Sequence, residues 1–264
     1  MNNRIGKFFV VLGIITFCGC TSMRDTKNAE YSLLRGVNLC EQGDLEGALR
    51  EYNKSFEIAP ENIILLKEMA FVYYNFGDYN KAEEFWQKAL KLSPKDDEII
   101  KNLATMYYQN GDYSKTLTMI AESYNPNSDY YLQLKGLIEY QNHEYKKAYS
   151  FFTRMNKKNM DEKTYVAYLD IINKIYDNKR YYSELKKGRN LFTGAKEYTL
   201  LYARELAGRF EIYDEAEQVL LEYLMNMGND SDILTMLSWV YRESGDFEKA
   251  QDTLKLLEDR QISA

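Results

Sequence analysis

The sequence predicts an all-α protein in which helical hairpins repeat along the chain as a solenoid. Three prolines occur among 264 residues, and because proline breaks helix interiors, this scarcity favours helices over a loop-rich β architecture. A Gly-Asp pair followed by Leu, Tyr or Phe recurs at 34-residue intervals at Gly43, Gly77 and Gly111, and a further copy begins at Gly245. A fixed period of this length indicates a repeat architecture.

Small residues that follow these turns divide the chain into seven units. Ala48, Ala82 and Ala250 each lie five residues after the glycine of a Gly-Asp pair. Ala148 and Ala216 are 68 residues apart, which is twice the period, so a degenerate unit lies between them. The predicted units are 29–62, 63–96, 97–128, 129–162, 163–196 (the degenerate one), 197–230 and 231–264.

Each unit is predicted to be one hairpin of two helices. Large apolar residues at i, i+3 and i+7 form a stripe on the first helix that must be covered. Gly77 suits the left-handed conformation that closes a first helix, and Asp78 suits the cap of the second. Ala70 and Ala82 are small where the two helices approach each other. Because one hairpin cannot bury its stripe alone, neighbouring hairpins stack.

The second unit carries a full set of signature residues: Leu66, Met69, Ala70, Tyr73, Ala82, Trp86 and Pro94. This set resembles the tetratricopeptide repeat (TPR) family, allowing Leu for Trp, Met for Leu and Trp for Phe. The resemblance implies a right-handed TPR-type α-solenoid of about seven antiparallel hairpins. It also implies a concave wall, made by the first helices, on which peptides bind.

Three units depart from the pattern. In the fourth, His143 replaces the turn glycine, and we expect Asn142 beside it to supply the turn. In the fifth, Tyr182 occupies the place at which the regular units have a small residue such as Ala82, which predicts a splayed or shifted hairpin. In the sixth, the Gly-Arg-Phe-Glu segment at 208–211 resembles a turn that comes too early, which predicts a lengthened or kinked helix near 208–213.

The first nineteen residues resemble a signal peptide. A basic start with Arg4 and Lys7 precedes ten apolar or small residues, Phe8 to Phe17. This stretch is shorter than the roughly 20 residues that a membrane span needs, but it fits a signal-peptide core. Residues 1–19 are therefore predicted to be removed, although an ordinary signal peptide or an uncleaved apolar helix is an alternative to the lipoprotein signal described next.

The sequence Phe-Cys-Gly-Cys that ends at Cys20 resembles the lipobox of bacterial lipoproteins, with Phe17 a departure from the usual Leu. The resemblance implies a diacylglycerol on the sulfur of Cys20, a tether over 20–28 and a place in the cell envelope. Thr21 is not the aspartate that retains enterobacterial lipoproteins at the inner membrane. We therefore expect the periplasmic face of the outer membrane.

The sequence offers little for catalysis or for nucleic-acid binding. The one histidine, His143, falls in a predicted turn, and phosphate-loop, zinc-protease and nucleophile-elbow motifs are absent. A net charge of −6 argues against nucleic acid, which is bound by clustered basic charge. The sequence thus predicts a non-enzymatic protein with no metal or cofactor apart from the lipid on Cys20.

Two groups of residues are candidates for partner binding. The first is a ladder on the first helices of units two to four, with tyrosines at the twelfth place, amides at the thirteenth and lysines at the fifth: Tyr74, Tyr108 and Tyr140, Asn75, Gln109 and Gln141, and Lys67 and Lys101. The alternative is that these tyrosines pack between adjacent first helices. The second group is Trp239 with Arg242, residue types that dominate interfaces.

We therefore expect a membrane-anchored adaptor that binds protein or peptide partners in the envelope. The resemblance extends to pilotins of type IV pili and to proteins of outer-membrane assembly. Alternatives are an envelope enzyme that acts on peptidoglycan, or a structural homo-oligomer. In the last case the chain would associate through its uncapped C-terminal helix, where Leu254 and Leu257 are apolar.

Overall fold

A computed structural model describes the backbone of residues 8–261 and the side chains of residues 23–257. In this part of the chain the regular elements are helices, without a strand, and the chain forms two compact units, 1–126 and 127–264. The predicted lipidation site, Cys20, lies outside the described side chains. No helix in the described part is both long enough and apolar enough to cross a membrane.

The N-terminal unit contains three consecutive helical hairpins. Residues 20–28, predicted as a tether, are part of its first helix. The helices are α1 (Phe8–Glu41), α2 (Leu45–Ile58), α3 (Ile63–Asn75), α4 (Tyr79–Leu92), α5 (Asp97–Gln109) and α6 (Tyr113–Glu122).

The C-terminal unit contains four hairpins, with a short 3₁₀ turn (Lys157–Asn159) after the first. Its helices are α7 (Asp129–Gln141), α8 (Tyr145–Phe152), α9 (Glu162–Ile175), α10 (Asn178–Leu191), α11 (Lys196–Arg209), α12 (Tyr213–Met227), α13 (Ser231–Ser244) and α14 (Phe247–Gln261). The described chain is thus an all-α repeat protein, as the sequence predicts.

The Gly-Asp turns form as predicted. Gly77 has a left-handed φ of 76°, and its N–H donates to the carbonyl of Tyr74 at 3.0 Å. The N–H of Asp78 donates to the carbonyl of Tyr73, while the Asp78 carboxylate accepts from the N–H of Lys81 at 3.2 Å. These bonds satisfy backbone groups at the end of α3 and the start of α4.

The fourth hairpin makes the same turn without glycine. His143 itself takes the left-handed conformation, with φ of 60°, while Asn142 has φ of −78°. The N–H of His143 donates to Tyr140 and that of Glu144 donates to Glu139, the pattern seen at Gly77. The expectation that Asn142 would supply the turn is therefore wrong.

The fifth and sixth hairpins differ from the sequence interpretation in their turns. Two residues, Tyr176 and Asp177, join α9 to α10, one fewer than join α3 to α4. The fourth place of α10, which matches Ala82 in α4, is consequently taken by the buried Tyr181 rather than by Tyr182.

In the sixth hairpin α11 ends at Arg209, Glu211 takes a left-handed φ of 55°, and α12 begins at Tyr213. Gly208 is an ordinary residue of the last turn of α11. The helix does not continue across 208–213, but the expectation of a lengthened helix end is met in part. The N–H of Phe210 donates to the carbonyl of Glu205, five residues back, whereas that of Phe76 donates to Val72, four residues back. The end of α11 is thus widened by one residue.

The core consists of the apolar faces that the repeat pattern predicts. In the second hairpin Leu66, Ala70 and Ala82 are fully buried and Trp86 is 2% exposed. Burial of a large apolar side chain contributes about 1.5–3 kcal/mol. Close approach also requires small residues, since a Cβ on Gly136 would lie 2.4 Å from the ring of Phe152.

Candidate functional site: a groove between α11 and α13

The tyrosine ladder of the N-terminal unit takes part in packing between hairpins. The Tyr74 hydroxyl of α3 donates to the side-chain oxygen of Gln109 in α5. The half-buried Tyr74 ring lies 5.7 Å from the rings of both Tyr79 and Trp86. Tyr108 makes the equivalent contact with Tyr113 at 5.8 Å. Tyr74 thus connects its own hairpin to the next one.

The two lysines of the ladder pair with carboxylates, and the amide of Asn75 is hydrogen-bonded to the backbone. Lys67 lies 3.6 Å from Asp96, the N-cap of α5, and contacts Glu98 as well. Lys101 Nζ lies 3.0 Å from a carboxylate oxygen of Asp97. Asn75 donates to the carbonyl of Phe71 at 2.8 Å. A ligand would have to compete with these partners for each group.

The remaining ladder residues belong to the C-terminal unit. The Tyr140 hydroxyl donates to Asp170 of α9 at 2.8 Å, and its ring lies 6.1 Å from that of Tyr145. Burial, helped by the bond to Asp170, raises the pKa of Tyr140 to about 12. Gln141 is exposed. The role of the ladder as a binding surface stays a prediction.

A groove between α11 and α13 has a different character. The two helices pack side by side in the C-terminal unit and leave an open cavity of about 540 Å³ along one face. The side chains that line it are Leu200 and Arg204 of α11, and Asp232, Thr235, Met236, Trp239 and Arg242 of α13. The predicted pair, Trp239 and Arg242, is therefore brought together in one site.

Trp239 is half-buried and lies against α11. Its Cη2 atom is 3.3 Å from the position that a Cβ on Gly208 would occupy. Because Gly208 has no side chain, the indole of Trp239 has room to lie against α11. Other side chains of the groove, such as Thr235 and Arg204, are exposed.

The two ends of the groove differ in charge. At one end Asp232 is paired with Lys196 at 2.6 Å, and Lys196 also contacts Asp230 at 2.8 Å. Hydrogen bonds with Asp230 and Asp232 raise the pKa of Lys196, so its ammonium group stays protonated at neutral pH. At the other end Arg204 and Arg242 are exposed, and neither has an ion pair with any described residue.

A cavity of about 600 Å³ lies between α10, α11 and α12, but its polar groups serve the fold. The Tyr198 hydroxyl donates to the carbonyl of Leu185 at 2.8 Å, and Arg189 pairs with Glu222 at 2.7 Å. Among the described residues, no cluster of three or more His, Cys, Asp or Glu side chains is placed to hold a metal ion.

Family models of the tetratricopeptide repeat match two stretches, residues 64–96 and 231–259. These two stretches are tetratricopeptide repeats. No curated protein sequence matches the chain. Tetratricopeptide repeat proteins are generally non-enzymatic scaffolds for protein interactions.

Solved structures share the fold at low sequence identity. A TPR protein from Parabacteroides merdae is 16% identical with a TM-score of 0.61, and the match covers 88% of this chain and 93% of that protein. The C-terminal part of a TPR protein from Cytophaga hutchinsonii is 14% identical with a TM-score of 0.59, covering 79% and 87%. PilW, a type IV pilus biogenesis factor, is 12% identical with a TM-score of 0.45, and the match covers 89% of this chain and 94% of PilW.

The TPR register explains why the sequence predicted residues on the α13 side of the groove but none on the α11 side. Aligning the start of α11 with that of α13 places Leu200 and Arg204 at the fifth and ninth places of the repeat, beside Thr235 and Trp239. The unit predicted from the sequence begins at residue 197 rather than at Lys196. That one-residue difference moves Leu200 to a core place and hides Arg204.

Proposed function

We propose that this TPR protein is a non-catalytic adaptor that holds partner proteins in the bacterial envelope through the α11–α13 groove. The observation that carries the proposal is Trp239, a half-buried aromatic side chain that lines the groove together with Arg204 and Arg242, two arginines without ion pairs among the described residues. Tryptophan and arginine are the residue types that contribute most at protein interfaces.

The groove is favoured over the tyrosine ladder because its side chains are available. Tyr74 already bonds to the neighbouring first helix and Lys67 to carboxylates, and Asn75 bonds to a backbone carbonyl of its own helix. By contrast, Leu200 and Met236 offer apolar area, and Met side chains adapt to partners of different shape.

Anchoring by a lipid is the second part of the proposal, and it is supported by the sequence that ends at Cys20. More than one acyl chain is needed for a stable membrane anchor, and a lipidated N-terminal cysteine would supply this. We propose the periplasmic face of the outer membrane as the location. The Cys20→Ala variant should move to the soluble fraction, and a variant that stays in the membrane pellet would contradict the anchor.

The binding proposal is tested by crosslinking in the native cell followed by affinity capture. Trp239→Ala should lose the partners that the wild type captures. The matched control is Phe247→Ala, which removes an aromatic ring that is 70% exposed and lies outside the groove. Unchanged capture by the Trp239 variant would contradict the proposal. Thermal unfolding of both variants shows whether the fold is kept.

A further inference from the structure

We propose that the groove recognises an acidic peptide segment, one in which carboxylates flank an apolar side chain. This inference rests on the proposed function and adds the chemical class of the ligand. In this arrangement the carboxylates pair with Arg204 and Arg242, and the apolar side chain lies against Trp239 and Met236.

The ion pairs around the site are unevenly distributed. Between residues 197 and 257 the chain has five Lys or Arg side chains and thirteen carboxylates. Three of the five cations pair with carboxylates: Arg209 with Glu205, Lys249 with Glu217 and Asp246, and Lys255 with Asp252. The two described cations of this segment without such a partner, Arg204 and Arg242, both line the groove.

The acidic side chain in the groove is compensated by a lysine. Asp232, the one carboxylate among the lining residues, is held by Lys196 at 2.6 Å. It lies ten residues before Arg242 on α13, or roughly 15 Å along the helix axis. A ligand carboxylate at the arginine end therefore meets two positive charges, with the nearest lining acid remote and paired.

The acidic charge of this segment favours a short ligand over a long polyanion. A long polyanion such as a nucleic acid would approach a segment with thirteen carboxylates against five cations and be repelled. A short peptide can place its carboxylates at the two arginines without lying along the rest of this acidic segment. Arginine binds carboxylates through two parallel hydrogen bonds, and an apolar side chain beside them matches Leu200, Met236 and Trp239.

A randomised heptapeptide library tests the inference without a known partner. Selection on the wild-type protein should enrich Asp and Glu over their frequency in the library, and selection on Arg204→Gln/Arg242→Gln should not. The matched control is Lys158→Gln/Lys179→Gln, which removes two exposed cations that lie outside the groove and have no ion pair with described residues. It should select the same acidic peptides as the wild type.

The selected peptide is then compared with its amide form, in which each acid is replaced by Asn or Gln, using isothermal titration calorimetry. The acidic form should bind at least tenfold more tightly to the wild type, and the double Arg variant should abolish this difference. Equal binding of the two forms would overturn the acidic specificity while leaving the groove as a binding site. Selection of no peptide that depends on Trp239 would overturn both this inference and the proposed function.

Discussion

The Tyr74 hydroxyl donates a hydrogen bond to the side-chain oxygen of Gln109, which joins the first helix of the second hairpin to that of the third. The sequence predicts both residues to bind a partner, as members of the ladder in units two and three. Their contact with each other indicates a structural contribution, because a side chain that holds the adjacent hairpin is less available to a ligand.

Removal of this hydroxyl should therefore reduce stability and leave partner binding intact. Tyr74→Phe keeps the ring contacts with Tyr79 and Trp86 but loses one hydrogen bond, so we expect a loss of about 1 kcal/mol in the free energy of unfolding. Urea denaturation measures it. The control Tyr79→Phe removes a hydroxyl that has no hydrogen bond with described residues, and it should change stability by less than about 0.5 kcal/mol.

The alternative role of the ladder has a distinct outcome. If changing Tyr74, Tyr108 and Tyr140 to Ala removes captured partners while Trp239→Ala does not, the ladder is the binding surface and the groove is not. We expect the reverse, with capture lost in the Trp239 variant and kept in the ladder variant.

The turn at His143 offers a gain in stability. An L-residue in the left-handed conformation costs about 1–2 kcal/mol, and His143 has φ of 60°. We expect His143→Gly to raise the free energy of unfolding by about 0.5–1 kcal/mol. His143→Ala is the control, because it removes the imidazole but keeps the backbone strain. An equal gain in both variants would mean that the side chain, and not the backbone, is unfavourable.

Sequence reasoning succeeds where the turn is chemically marked. Gly77 and Asp78 indicate both the left-handed residue and the following cap, so the hairpin and its register can be derived together. It fails at Glu211 and at the two-residue turn of Tyr176 and Asp177. A left-handed Glu or a shortened turn has no residue type that identifies it.

Errors in helix register also limit how much of the candidate site can be predicted from the sequence. Successive helix residues are separated by about 100° around the axis, so a register error of one residue changes which side chains face the groove. Trp239 and Arg242 belong to the last hairpin, whose turn and caps are well marked, and could be predicted. Leu200 and Arg204 belong to a hairpin whose predicted start is misplaced by one residue.

A buried carboxylate makes the stability of the C-terminal unit depend on pH. Glu184 is 5% exposed and accepts hydrogen bonds from Lys157 at 2.7 Å and Lys187 at 2.8 Å. Burial alone raises its pKa, but the bonds from the two lysines outweigh burial and hold the pKa below the ordinary 4.5. Its contribution is therefore present above the unfolded-state pKa and is lost as the pH falls through the folded-state value.

Glu184→Gln should consequently lower the free energy of unfolding at pH 7 by about 2 kcal/mol, less than for a fully buried pair because both lysines are partly exposed. The difference from wild type should shrink as the pH falls below about 4.5. Urea denaturation at pH 7 and pH 3.5 measures it. Glu243→Gln, at an exposed carboxylate, is the control, and a difference for Glu184→Gln that is independent of pH would contradict the charge argument.

Site-specific photocrosslinking in the native cell tests the groove as a binding site most directly. A photoreactive amino acid replaces Met236 inside the α11–α13 groove or Met225, which is 80% exposed on α12 and outside it. We expect a discrete partner adduct from position 236 that is reduced by Arg204→Gln/Arg242→Gln and is missing from position 225. The same adducts from both positions, or an adduct from position 225 alone, would contradict the groove as the binding site.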